Sequence, residues 1–308
     1  MDKPKVLVII ISYEGEKWIK DCIQSVLKNN YNNFELLLID NASKDETISI
    51  VKRYFHNVRV LELPKNIGFG RAANIGIQHA TVHQFDYLFL LNQDVKLAKD
   101  CIYNIVKACE KHSYIGIASP FQMTYDGLKT DPAFDRLLRS NKCFQDDLEF
   151  ATTSQKTLEM DTVIGAAMFF RTRLFKIVGS FDPLFFLYHE EGDLCRRARY
   201  HGFELHVVPR AQIFHWHTQL NPSEMSFRAK WSSLYGYYLY ILKDPFRSLA
   251  ENFFLFVKQV VASIFRDKRI DKVVKRFLIN SFVFFFIMCR IPRLLNRRNQ
   301  EMKRGVDF

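Results

Sequence analysis

Short apolar runs alternate with helix-period segments over roughly the first 120 residues, and no other feature restricts the fold of this chain so tightly. Residues 5–11, 34–39, 58–63, 87–92 and 115–119 read as strands. Between the first two, Ile19, Cys22, Ile23, Val26 and Leu27 fall on one face of a helix. Further helices are expected at 46–55, opened by a capping box in Ser43-Lys44-Asp45-Glu46, and at 71–79 and 100–111. Repeated strand–helix–strand units connect through right-handed crossovers, so the expected fold is α/β: a doubly wound, mostly parallel sheet.

The pattern lapses over 121–159, which reads as a long surface excursion of the kind that carries binding specificity. It resumes with a strand at 161–170 and a short helix at 172–178. A helix at 194–201 follows, capped by Asp193 and stopped by Gly202, and then a strand at 203–208 that leads to His215-Trp216-His217.

The run Leu88-Phe89-Leu90-Leu91 reads as a strand buried on both faces that ends in Asn92-Gln93-Asp94. Ligands of open α/β sheets bind beyond the carboxyl ends of the strands, so Asp94 stands where a metal or phosphate is handled, unless it only opens a turn. Asp40 ends its own strand at the same edge. Its carboxylate can accept from a base N–H or a ribose hydroxyl, or cap the turn. Gly68-Phe69-Gly70-Arg71-Ala72-Ala73 matches GxGxxA, but after the third strand rather than the first, which is the wrong place for a nicotinamide or flavin fingerprint. Either its glycines permit a tight helix entry, or the loop cradles phosphates with Arg71 as a planar donor. Glu190, Glu191 and Asp193 follow the bulky Phe185-Phe186-Leu187-Tyr188. They are either a solvated charge cluster or a rigid site edge whose paired carboxylates have the raised pKa that suits a general base. His215 is a metal or phosphate contact or a structural histidine, and Trp216 offers a face for a sugar ring or base.

These pieces, in this order, resemble glycosyltransferase family 2, the inverting enzymes with the Rossmann-related GT-A fold, and within it the rhamnosyltransferase-like branch of bacterial surface polysaccharide synthesis. The matching segments are Ile11–Glu14, Ile39–Ser43, Asn66–Gly76, Leu91–Asp94, Gly165–Ala167, Phe181–Arg197 and His215. The resemblance implies that Ser12 and Glu14 line a nucleotide pocket and that Asp40 bonds the base. It implies that Asn66, Gly68 and Arg71 lie along the ribose and phosphates, with Asn92 and Gln93 beside them. Asp94, the last acid of the family's DxD motif, and His215 would hold Mg2+ or Mn2+. Glu191, in the place of the second acid of the family's Glu-Asp pair, would be the base, with Glu190 beside it and Asp193 and Trp216 toward the acceptor. The implied partners are a dTDP- or UDP-sugar donor and a glycan or lipid-linked glycan acceptor. Three positions depart from the family: Asn92 replaces an acid, Glu191 stands where Asp is common, and Arg71 fills a small-residue position. No Gln-x-x-Arg-Trp accompanies Trp231, so one sugar per encounter is expected rather than processive synthesis.

The net charge is +11, of which residues 266–308 contribute +8 through 12 Lys/Arg against 4 Asp/Glu. The body is therefore near neutral, which argues against a nucleic-acid-binding face. Residues 253–265 and 277–289 are rich in phenylalanine and flank the basic 266–276. The second run is too short for the ~30 Å hydrocarbon core, so interfacial helices on the inner face of the cell membrane are expected, with an oligomer interface as the other use of this surface. The domains expected are 1–244 for transfer, divided near 120 into nucleotide and acceptor halves, and 245–308 for the membrane. Six cysteines without metal or disulfide spacing suit a reducing compartment, and no cleavable leader is read at the N-terminus, so a cytoplasmic location is expected. Two other classes compete. A sugar nucleotidyltransferase would favour a Gly-rich basic loop after the first strand, where this chain has the acidic Ser12-Tyr13-Glu14-Gly15-Glu16. A non-catalytic saccharide- or nucleotide-binding protein would be indifferent to loss of Glu191.

Overall fold

The structure is a computed structural model that describes residues 3–140, 156–216, 226–265 and 270–303. Its elements in order are β1 (Val6–Ser12), α1 (Ile19–Leu27), β2 (Phe34–Asp40), α2 (Thr47–Tyr54), β3 (Arg59–Glu62), α3 (Phe69–Val82), β4 (Tyr87–Asn92), β5 (Val95–Leu97), α4 (Cys101–Lys111) and β6 (Ile115–Thr124). They continue with α5 (Pro132–Ser140), β7 (Leu158–Glu159), β8 (Ala167–Arg171), α6 (Leu174–Val178), α7 (Glu190–Tyr200) and β9 (Glu204–His215). Four helices close the chain: α8 (Phe227–Leu242), α9 (Leu249–Ile264), α10 (Ile270–Met288) and α11 (Ile291–Lys303).

One mixed sheet runs in the order β3-β2-β1-β4-β8-β6-β9-β5, with β7 also paired to β9. Its first four strands are parallel, as the alternating pattern requires. Beyond β4 the winding changes. Only a tight turn separates β4 from β5, which crosses to the far edge and pairs antiparallel with β9. The place beside β4 is filled instead by β8, antiparallel to both β4 and β6. The uninterrupted apolar runs have a direct cause. Val6, Val8 and Ile10 enter the core on the α1/α4 face, while Leu7, Ile9 and Ile11 enter the core on the α3/α6/α7 face.

Four local expectations are corrected. The Ser43 capping box does not form: Asp45 accepts from the Thr47 backbone N–H at 3.1 Å, and the Ser43 hydroxyl turns to Asp40. Residues 121–140 are not a surface excursion, because 121–124 extend β6 through the expected boundary near 120. In the same stretch, α5 buries Phe134 and Leu138 against Phe121 and Val207. That helix offers only those two fully buried side chains, too few to show a period. Residues 204–215 make one long strand. Asp193 does not cap a helix, since α7 begins at Glu190 and Asp193 lies inside its first turn.

The C-terminal helices pack on the sheet-bearing body. Tyr238, Phe256, Val283 and Ile287 share a core with Leu184 and Phe185. Asn280, a polar residue in the apolar run, is buried and accepts from the Tyr238 hydroxyl. Lys243, wholly buried after α8, meets Asp182 at 2.5 Å, Asp193 at 3.2 Å and Glu301 of α11 at 2.9 Å. Arg197 adds a 2.8 Å bond to Asp193, and Arg298 of α11 donates to the carbonyls of Asp244 and Arg247. Burial alone would raise the Asp193 carboxyl; the charges of Lys243, Arg197 and Arg196 overcome it and hold it at about 2. For Glu301 burial wins, and its pKa stays above the usual carboxylate value despite Arg197 and Lys243. Contacts of this network cross the expected boundary at 244. Removing one partner of a buried ionic cluster strands the others, so Lys243→Met is expected to cost about 3–5 kcal/mol in urea unfolding with an unchanged m-value.

Candidate active site

Four strand-end segments converge on one side of the sheet. The end of β1 brings Ser12 and Tyr13, the segment after β2 brings Asn41, the entry to α3 brings Asn66, Gly68 and Phe69, and the end of β4 with the turn after it brings Asn92, Gln93 and Asp94. With Phe186, Leu187 and the start of α8 they enclose a cavity of about 370 Å³. The loops are pinned by side chains that act as backbone surrogates. Gln93 accepts from the Tyr13 N–H at 2.8 Å and donates to its carbonyl at 2.9 Å. Gly15 makes room for that amide, which any Cβ there would strike. Asn41 accepts from the Ile67 N–H at 2.9 Å and donates to Asn66, which in turn accepts from the Gly68 N–H. Gly68 has φ +89°, and a Cβ there would collide with the Phe186 carbonyl.

Of the residues expected here, Ser12, Asn66, Gly68, Asn92, Gln93 and Asp94 line the cavity. Three others are displaced. Asp40 is buried and accepts from the hydroxyls of Ser12 and Ser43 and from the Ser43 N–H, so it holds the loop together. Glu14 accepts from the Lys44 N–H at 2.9 Å and staples the first two loops. Arg71 clasps the Pro183 carbonyl through Nε and a terminal nitrogen, at 3.1 and 2.6 Å. Asp193 is likewise corrected: sealed between Arg197 and Lys243, it offers nothing to an acceptor. The lining was legible at the strand ends. It was not legible at Phe186, Leu187, Ser226, Ala229 and Ser232, which only tertiary packing brings across; the Ser232 hydroxyl donates to the Leu187 carbonyl at 2.9 Å.

Asp94 and His215 meet because β5 pairs with the end of β9, setting Val95 opposite His215, while the Trp216 N–H donates to the Asp94 carbonyl at 2.9 Å. His215 Nε2 lies 3.8 Å from Asp94 Oδ1, within the span of two ligands of one cation bonded at about 2.1 Å each. A carboxylate oxygen and an imidazole nitrogen suit Mn2+ or Mg2+. Among the described residues no group of three His, Cys, Asp or Glu side chains could hold a metal ion, so such a cation would depend on a ligand's phosphates for the rest of its shell. Trp216 sits beside this pair, edge-on to Tyr125 with the Lys17 ammonium 4.3 Å from its ring centre, and does not line the cavity. His217 lies outside the described residues.

The paired glutamates open α7 behind two successive residues in the left-handed region, Tyr188 at φ 71° and His189 at φ 69°. Such strain persists only where the surroundings enforce it, and here it aims the helix start. Glu190 is buried beside Gly70 of α3, and its Oε2 has no hydrogen-bond donor among the described residues. Glu191 is half-buried and packs on Gly165, whose neighbour Ala166 accepts from the Asn92 N–H at 2.9 Å. That link sets Glu191 beside the end of β4. Burial first, and then the charge of Glu191, pushes the Glu190 carboxyl up to about 8, and burial also raises Glu191.

A polar cavity at the carboxyl ends of the strands places the protein in the class of α/β folds that bind their ligands at that edge. The comparisons with known proteins narrow the class. Residues 7–179 match the family described as Glycosyl transferase family 2, and the chain belongs to that family. It is 27% identical over 262 residues to the rhamnosyltransferase WbbL of Escherichia coli, covering 80% of this chain and 92% of that one. It is 34% identical over 103 residues to an uncharacterized glycosyltransferase of Haemophilus influenzae, but those residues span only 40% of that protein. In fold it resembles S. aureus TarS 1-349 in complex with UDP-GlcNAc, with a TM-score of 0.59 at 15% identity over 98% of this chain and 89% of that one. GalNAc-T7 with UDP, GalNAc and Mn2+ also gives 0.59, at 18% identity over 77% and 47%.

The glutamate pair makes stability depend on pH. Below the unfolded value near 4.5 both states hold the Glu190 proton. As pH rises toward 8 the unfolded chain releases it while the folded protein keeps it, so Glu190 costs progressively more stability. Glu190→Gln is therefore expected to gain on the wild type by more than ~1 kcal/mol between pH 5 and pH 8, read from denaturant melts at each pH.

Proposed function

We propose that the protein is an inverting, non-processive glycosyltransferase that moves one sugar from a nucleoside-diphosphate sugar to a hydroxyl of a glycan or lipid-linked glycan in bacterial surface polysaccharide synthesis. The observation that carries this reading is the cavity at the ends of β1, β2 and β4, with the Asp94–His215 pair on one side and Glu191 adjoining. Rhamnose is the favoured sugar because the likeness to the rhamnosyltransferase WbbL runs over nearly its whole length. dTDP and UDP are the candidate carriers, the second because TarS binds UDP-GlcNAc on the same fold.

In this mechanism Glu191 takes the proton of the acceptor hydroxyl, whose oxygen attacks the anomeric carbon as the bond to the diphosphate oxygen breaks on the opposite face. Its raised pKa makes it a stronger base than an exposed carboxylate. Glu190, protonated near neutrality, keeps a second negative charge away from that base. Asp94 and His215 would hold a divalent cation, which would supply positive charge where the leaving diphosphate gains negative charge. Asn92 leaves Asp94 as the single acid of this turn, so its loss is decisive. Wild-type protein should gain about 5 °C in thermal midpoint with Mn2+ and saturating UDP or dTDP, and Asp94→Ala should lose that gain. Glu191→Gln should keep the nucleotide shift and lose a factor of 10²–10⁴ in sugar transfer. A Glu191→Gln variant that still transfers sugar would place the base elsewhere; no shift with any nucleotide would favour a saccharide-binding protein.

We further propose that the C-terminal helices hold the enzyme on the cytoplasmic leaflet, where a lipid-linked acceptor is met. Phe253, Phe254 and Phe265 of the α9 segment and Phe277, Leu278, Phe282 and Phe285 of α10 expose their side chains, with Lys258 exposed beside them. No single helix among the described residues is long and apolar enough to cross a membrane. One pair, Arg276–Met288 and Ile291–Lys303, meets the length and composition test together but is bent by 63°, and its second helix buries Arg298 and Glu301 in the Lys243 network. Deleting the tail would break that network, so point changes are the cleaner test. Replacing Phe254, Phe282 and Phe285 by Ser should reduce flotation with anionic vesicles at least tenfold without unfolding the protein. A change in oligomeric state with unaltered flotation would assign this face to a second copy.

A further inference from the structure

The stretch between β6 and α5 contributes a carboxylate that the strand-end motifs do not account for. Asp131 is wholly buried at the start of α5, where its Oδ1 accepts from the backbone N–H groups of Ala133 at 2.8 Å and Phe134 at 3.0 Å. That is an ordinary helix cap, and with Pro132 in the first turn it explains the Asp-Pro pair. The second oxygen does something else. Asp131 Oδ2 lies 3.4 Å from His215 Nδ1, on the side of the ring opposite Asp94, which faces Nε2. The imidazole thus stands between two carboxylates, one lining the cavity and one sealed in the core.

The two ring nitrogens are not equivalent in such an arrangement. A carboxylate this near to Nδ1 favours a proton on that nitrogen, which leaves the lone pair on Nε2 directed to the side where Asp94 waits. The placement is rigid at both ends. Asp131 is tied by its cap and by its own N–H, which donates to the Gln122 carbonyl at 3.0 Å, while His215 ends β9 opposite Val95. Ligating histidines in metalloproteins commonly hand their other nitrogen to such a partner, and loss of that partner costs 10- to 100-fold in metal affinity.

We propose that Asp131 is a positioning residue: it holds His215 in the tautomer and orientation that can ligate a divalent cation together with Asp94. The proposal rests on the metal reading of the preceding subsection, and the experiment separates the two. Asp131→Asn retains an amide oxygen for the α5 cap, so folding is kept, but turns an NH2 toward Nδ1 and favours a proton on Nε2 instead. Histidine-selective 15N NMR, with His215 assigned through His215→Gln, should show Nδ1–H in the wild type and Nε2–H in Asp131→Asn. Free Mn2+ measured by electron paramagnetic resonance in the presence of UDP or dTDP should show a dissociation constant raised 10- to 100-fold. In the His215→Gln background Asp131→Asn should have no further effect, whereas a merely structural aspartate would weaken binding equally in both backgrounds. A wild-type proton on Nε2, unchanged Mn2+ affinity in Asp131→Asn, or an equal loss in both backgrounds overturns the proposal. Nδ1–H in a wild type that binds no Mn2+ with either nucleotide overturns the metal reading itself.

Discussion

A single ammonium group, Lys243 Nζ, faces the carboxylates of Asp182, Asp193 and Glu301 in a site closed to water. Each of those acids comes from a different part of the chain: the loop before the glutamate pair, the first turn of α7, and the last helix. Their burial is offset by the shared cation, with Arg197 as a second partner of Asp193. The cluster therefore fixes where α7 begins, and with it where Glu190 and Glu191 stand. It also explains why the C-terminal helices are a wall of the catalytic body rather than a tether. Arg196 reinforces the same joint, lying over the Tyr240 ring at 3.7 Å and reaching Asp244 at 3.3 Å.

Around the cavity, rigidity comes from backbone geometry more than from apolar contact. Glu14, Ala42, Tyr188 and His189 all take positive φ without being glycine, and each lies in a loop of the cleft or just before the glutamate pair. α8 approaches this region closely at Gly236, where a Cβ would press on the Tyr188 carbonyl. Side-chain amides and carboxylates then complete the hydrogen bonding of loops that have no strand partners. Several of the polar residues that mark the site in the sequence do this structural work, which is why Asp40, Glu14 and Arg71 bond to protein atoms.

How much was legible follows from the range of the forces involved. Strands buried on both faces leave uninterrupted apolar runs, so β1, β2 and β4 and the polar residues at their ends could be read directly, and Ser12, Asn66, Asn92, Gln93 and Asp94 do share one cavity. The antiparallel insertion of β8, the fate of Asp193 and the partner of His215 could not. Each depends on which distant segment fills a given space, and a short amphipathic helix such as α5 or a lone Asp-Pro pair carries no periodic signal of its tertiary neighbours.

What the sequence by itself determined is the wound half of the sheet and the edge at which its polar strand-end groups gather, because side-chain periodicity and strand–helix alternation are local properties. The tertiary structure alone decided which of those groups face the cavity and which are spent inward. Asp94 is set beside His215 by the β5–β9 pairing, Asp131 is set behind it by the cap of α5, and Asp193 is consumed by Lys243. A charged side chain takes whatever partner lowers its burial cost most. That partner comes from remote chain, so its identity becomes visible only when the segments are packed together.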